Sequence, residues 1–130
     1  MNKITKTYLE ILLEAQFERD GFKRFDIYRD IEIYYNYEHV KQRLQERYPS
    51  KTFSVIRLLV KAFLKNIINE NFLINKKTNN ITFICYCSKS EIWIAGRFKK
   101  NFGKWRVEIN TLLPPNPIYP INIKLFEVNI

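Results

Sequence analysis

Histidine appears once in this chain, cysteine twice, glycine three times and proline five times among 130 residues. Each scarcity excludes something. With His39 as the sole imidazole, a Cys/His zinc site has no ligand set unless carboxylates complete it. Cys85 and Cys87 stand two apart in an extended stretch, on one face and poorly placed to bridge each other. They read as small buried hydrophobes, and as free thiols they fit a reducing compartment. Few glycines and prolines leave little linker material. There is no Gly-rich phosphate loop, no metal-ligand spacing and no nucleophile elbow. The chain does not read as an enzyme, and no catalytic residue, metal or cofactor is expected. Asp30 and Glu32 would share a strand face, as carboxylates of metal-dependent nucleases sometimes do, but paired acids are common on surfaces. No apolar run approaches the ~18–20 residues of a spanning helix. Met1–Lys6 leads straight into an amphipathic pattern without the apolar stretch of a secretory leader. A soluble cytoplasmic protein with no membrane partner is expected.

What is present is apolar and aromatic material, 46% and 15% of the residues, enough for a packed core in one domain with a modest extension. The abundance of Ile, Asn, Lys and Tyr matches the coding bias of AT-rich genomes, common in viruses and other mobile elements, so a viral protein acting in the host cytoplasm is expected. The formal net charge is +9, and it is not spread evenly. Residues 1–50 hold nine basic and nine acidic side chains, whereas residues 51–106 hold twelve basic and two acidic. A localised basic surface is the footprint of a polyanion partner, although charge also serves solubility.

Apolar spacing predicts a first helix over residues 5–19, with Glu10, Glu14 and Glu18 forming an acidic line along it. Residues 22–35 fit helix or strand, and a short strand near 30–35 is the reading adopted. Asn36 offers a cap for a second helix, Tyr37–Tyr48, which Pro49 ends. Thr52 or Ser54 opens a third helix to about Asn69, apolar almost all round, so it must be buried on most sides. Ser54, Arg57, Lys61 and Lys65 fall in its one polar sector. Phe72–Asn75 and Ile81–Cys87 read as strands around a polar tip with Lys76 and Lys77.

This order of helix, strand, helix, tight turn, helix and basic-tipped hairpin resembles the winged helix-turn-helix domain over residues 5–87. The resemblance implies an α+β fold: a three-helix winged-helix core in residues 1–87, followed by a β-rich extension, residues 88–130, packed on the same domain. It also implies a mechanism. The helix after the turn enters the major groove, so Lys51, Ser54, Arg57, Lys61 and Lys65 would meet DNA, with Arg57 best suited to guanine. Lys76 and Lys77 would touch phosphate from the wing. A duplex DNA-binding transcriptional regulator follows, with homodimerisation natural for palindromic sites.

The last third reads as a second hairpin, residues 91–110, in which Arg97, Lys99, Lys100, Lys104 and Arg106 accompany Phe98, Phe102 and Trp105. Cations among aromatics suit a phosphate backbone and stacked bases, so single-strand or RNA binding is a second expectation. Filling of the core by Phe98 and Trp105 is the plainer account of those rings. A third possibility is a protein-interaction module, such as a viral inhibitor occupying the nucleic-acid site of a host complex. A closing strand is expected within residues 121–128.

Overall fold

A computed structural model describes residues 21–74, 76–118 and 123–130. The helix expected over residues 5–19 lies outside the described residues. The ambiguous stretch after it resolves into a hairpin: β1 (Lys23–Tyr28) and β2 (Ile31–Tyr35) pair antiparallel around Arg29-Asp30. Arg29 takes the left-handed backbone, φ 54°, that a two-residue hairpin loop needs. Alternation in β2 decides its faces. Ile31, Ile33 and Tyr35 are buried, while Glu32 and Tyr34 turn away. Asp30 therefore sits in the turn, and Glu32 is bound to Arg24 at 2.7 Å, so the two acids do not form a strand-face pair.

Helix α1 (Tyr37–Arg47) buries Val40 and Leu44. Asn36 occupies the expected cap position without making a side-chain capping bond; its own N–H donates to the Ile109 carbonyl instead. Helix α2 (Phe53–Asn69) starts where expected, with Thr52 Oγ1 accepting from Val55 N at 3.3 Å. It buries Ile56, Leu59, Val60, Phe63, Leu64 and Ile67 and leaves Leu58, Ser54 and Lys65 exposed, so it is one-sided rather than apolar all round.

The next expectation fails. Residues Phe72–Ile74 form turns, not a strand. Asn71 at φ 56° closes α2, with Asn71 N bonded to Ile68 O and Phe72 N to Ile67 O, the paired bonds of a Schellman motif. Phe72 then folds back against the core. Strand β3 (Asn80–Cys87) takes its partners from further along the chain: β4 (Ile92–Asn101) antiparallel on one side and β6 (Lys124–Val128) parallel on the other. Strand β5 (Lys104–Leu113) returns from β4 and receives β2 in parallel.

The result is one mixed sheet of six strands, ordered β1-β2-β5-β4-β3-β6. Among the described residues only α1 and α2 are helices, and their buried side chains join those of one sheet face in a single core. This overturns the winged-helix resemblance and the three-helix core with its hairpin extension; the class is α+β. Among the described residues no wing hairpin occurs, because both edges of β3 are taken, by β4 over eight register pairs and by β6 on the other side. Cys85 and Cys87 lie buried and free on the core face. No helix among the described residues is long and apolar enough to cross a membrane.

Gly96 marks where β5 bulges, as the register slips between Ala95 and Gly96. A side chain there would overlap the Glu108 carbonyl oxygen and press on the Phe83 ring, so this close approach requires glycine.

Candidate nucleic-acid interface

The β4–β5 hairpin turns through Phe102-Gly103, both at positive φ (51° and 79°), between the paired residues Asn101 and Lys104. Positive φ at both loop residues belongs to the turn whose twist matches its strands. It thrusts Phe102 wholly into solvent. Lys99, Lys100 and Lys104 stand around that ring on the last register pairs of the hairpin.

Three other segments reach this end of the sheet. The loop before β3 is tied to the hairpin by Lys100 N donating to Asn79 O at 2.8 Å, which brings Lys76 and Lys77 beside it. The ammonium of Lys76 lies 4.2 Å from the centre of the Phe72 ring. Lys124 opens β6 opposite Phe83, with its Nζ 5.8 Å from the same Phe72 ring and 5.4 Å from Phe126. The Arg29-Asp30 turn adds one charge of each sign farther along the same end, because β2 runs parallel to β5. None of Lys76, Lys77, Lys99, Lys100, Lys104 and Lys124 makes an ion pair among the described residues.

The other cations expected at an interface serve the fold. Arg57 turns inward, donating from Nε to Asp26 Oδ2 at 2.9 Å and from Nη2 to Oδ1 at 2.7 Å, and Lys61 Nζ lies 3.3 Å from the same carboxylate. The guanidinium also meets the Phe25 carbonyl and ring. Arg57 donation holds the Asp26 carboxyl below its ordinary pKa, with burial opposing and Lys61 adding. Arg97 and Arg106 both hold Glu108, a carboxylate buried within the sheet; Arg97 Nε is 2.7 Å from Oε1, while Arg106 takes Oε2 and lies over Tyr34. A buried acid between two guanidiniums is a structural element, because losing one partner strands a charge. Ser54 and Lys65 are exposed on α2, and Lys51 lies at the opposite end of the sheet, at the close of the α1–α2 turn.

Of the twelve residues picked from the sequence, then, Lys76, Lys77, Lys99, Lys100 and Lys104 come together. The sequence reading missed Lys124, whose surroundings carry no charge excess, and the partnership of Asp26 with Arg57. Phe98 is fully buried, and Trp105 packs edge-on against it at 6.5 Å with Lys100 Nζ 5.6 Å from its ring, so Phe102 alone of the three rings is fully open. His39 is half-buried, with Nε2 within hydrogen-bond distance of Thr111 Oγ1, at 3.0 Å. No cluster of His, Cys, Asp or Glu suited to a metal ion occurs among the described residues.

Ammonium groups hold phosphates as point charges, contacts that position a strand without reading its sequence. An exposed aromatic face adds stacking to a base that is not already stacked in a duplex. Comparison of the chain with protein-family models, curated proteins and solved structures finds no match.

Proposed function

We propose that the chain is a nucleic-acid-binding protein that grips single strands by their phosphates at the lysine end of its sheet. One observation carries the reading: Lys99, Lys100 and Lys104 stand on the last register pairs of a tight hairpin whose tip, Phe102, is fully exposed, and Lys76, Lys77 and Lys124 add charge on the neighbouring segments, none of the six with an acidic partner among the described residues. Single strands are favoured over duplex because Arg57, the residue best suited to guanine in a groove, is bound to Asp26, while Phe102 offers a stacking face that only unpaired bases can use. The binding is backbone-directed and sequence-tolerant.

Fluorescence anisotropy at low salt with labelled single-stranded RNA, single-stranded DNA and duplex of mixed sequence tests this. Both single strands bind at least about tenfold tighter than duplex, since stacking contributes only there. Equal or tighter duplex binding, or no binding to any of the three, overturns the proposal. In the latter case, a nuclease-resistant complex with an acidic protein becomes the reading to pursue.

A further inference from the structure

The opposite end of the sheet carries a different arrangement. The α1–α2 turn, the β3–β4 turn and the chain beyond β5 enclose a cleft of about 600 Å³, within the usual size of small-molecule sites. Tyr86 and Trp93, cross-strand neighbours on β3 and β4, stack in its wall with ring centres 4.3 Å apart and planes inclined by 22°. Tyr48 fixes that wall: its hydroxyl donates to Leu113 O at 2.6 Å and accepts from Trp93 N at 3.2 Å.

Three cations line the cleft, Arg47, Lys51 and Lys89, against one acid, Glu91. None of the three makes an ion pair among the described residues. The Arg47 guanidinium is partly buried and donates to the Leu112 carbonyl, leaving other N–H groups available. Burial, then the nearby charge of Arg43, lowers its pKa, a penalty that an anion in the cleft relieves. Glu91 and Asn116, on two walls, both hold left-handed backbone, at φ 58° and 52°. Lining side chains with two net positive charges match a phosphate monoester, which carries roughly −1.5 to −2 at neutral pH.

We infer that this cleft binds a nucleoside monophosphate unit, its base against the Tyr86–Trp93 pair and its phosphate held by Lys51, Lys89 and Arg47. The unit is either a free nucleotide or the phosphorylated end of a strand. The site stands independently of the lysine end, from which the ten-residue β4 separates it by about 30 Å.

Isothermal titration with adenosine 5′-monophosphate, with tryptophan fluorescence as a second readout, tests the inference on the full chain. Saturable binding below millimolar concentration is expected, and Lys51→Gln/Lys89→Gln weakens it at least about tenfold. Inorganic phosphate binds about tenfold or more weakly than the nucleotide, because it cannot stack. The Lys99→Gln/Lys100→Gln/Lys104→Gln variant binds the nucleotide as the parent does, which separates this site from the nucleic-acid interface. A 5′-phosphorylated adenosine trinucleotide that binds about tenfold tighter than the monophosphate identifies a strand end as the ligand; equal binding identifies the free nucleotide. No saturable binding, or unchanged binding in the Lys51/Lys89 variant, overturns the site, and phosphate binding as tight as the nucleotide's overturns the role of the aromatic pair.

Discussion

Arg57 and Asp26 meet through two hydrogen bonds, 2.9 and 2.7 Å, that tie α2 to β1 across 31 residues of sequence. The Asp26 side chain is 6% exposed and the Arg57 side chain 36%, so the pair sits where the sheet edge meets the helix. A residue that looks like a groove-reading arginine is thus a clamp between secondary-structure elements. Charge-assisted bonds to a buried carboxylate are worth more than ordinary ones, and removing one partner leaves the other desolvated. Arg57→Ala should lower stability to urea by about 2 kcal/mol while leaving single-strand affinity within about twofold of the parent. A large loss of affinity without loss of stability would return Arg57 to the interface.

The same pair sets an acid limit. Arg57 donation holds the Asp26 carboxyl below its ordinary value, with Lys61 adding and burial opposing. The unfolded carboxyl titrates near ~3.9. A lowered folded pKa means that the stabilisation is complete above the unfolded value and is lost as pH falls through the folded one. Asp26→Asn should therefore lower stability at neutral pH and flatten its decline below about pH 4. Parallel acid limbs for parent and variant in urea melts across pH 2–7 would contradict this.

Gly96→Ala tests the bulge. The added methyl would overlap the backbone oxygen of Glu108, and backbone cannot swing aside as a long side chain can. A loss of at least ~2 kcal/mol is expected in thermal or urea unfolding. A neutral result would mean that β4 and β5 do not approach as described.

Tyr35 makes the opposite prediction. Its hydroxyl is buried without a hydrogen-bond partner, and burial, with the Asp26 charge, raises its pKa above the ordinary phenol value. Its ring packs edge-on against Phe25 and Phe53. Tyr35→Phe keeps that packing and removes an unsatisfied polar atom, so stability should be unchanged or higher by up to ~1 kcal/mol. A clear loss, measured by urea unfolding, would reveal a partner for the hydroxyl.

Local signals in the sequence located both described helices, the β4–β5 hairpin and the strand at 81–87, because apolar period, Thr52, Pro49 and Gly103 act over a few residues. The sheet order was not legible. Which strands pair depends on contacts far apart in sequence, such as β2 with β5, and no local pattern encodes them. Asn71 misled for a related reason: the helix closes through its left-handed backbone, and Phe72 and Leu73 pack against the core without pairing while Ile74 is left exposed. For the candidate site, charge counting found Lys76, Lys77, Lys99, Lys100 and Lys104 as a surplus. It could not separate them from Arg57 and Arg97, whose acidic partners Asp26 and Glu108 lie on other strands, or from Arg106, which shares Glu108 with Arg97 from within β5. A surplus cation and a paired one look alike until the partner is placed.

If the lysine end of the sheet holds phosphates, as proposed, single-strand affinity must fall steeply with salt. Each neutralised phosphate contributes about −0.7 to the slope of log K against log salt, so contacts from six lysines give a slope of about −4. Lys99→Gln/Lys100→Gln/Lys104→Gln should make the slope shallower by about 2 and weaken binding to all sequences alike. An unchanged slope in that variant, or no measurable single-strand binding by the parent at low salt, would contradict the account.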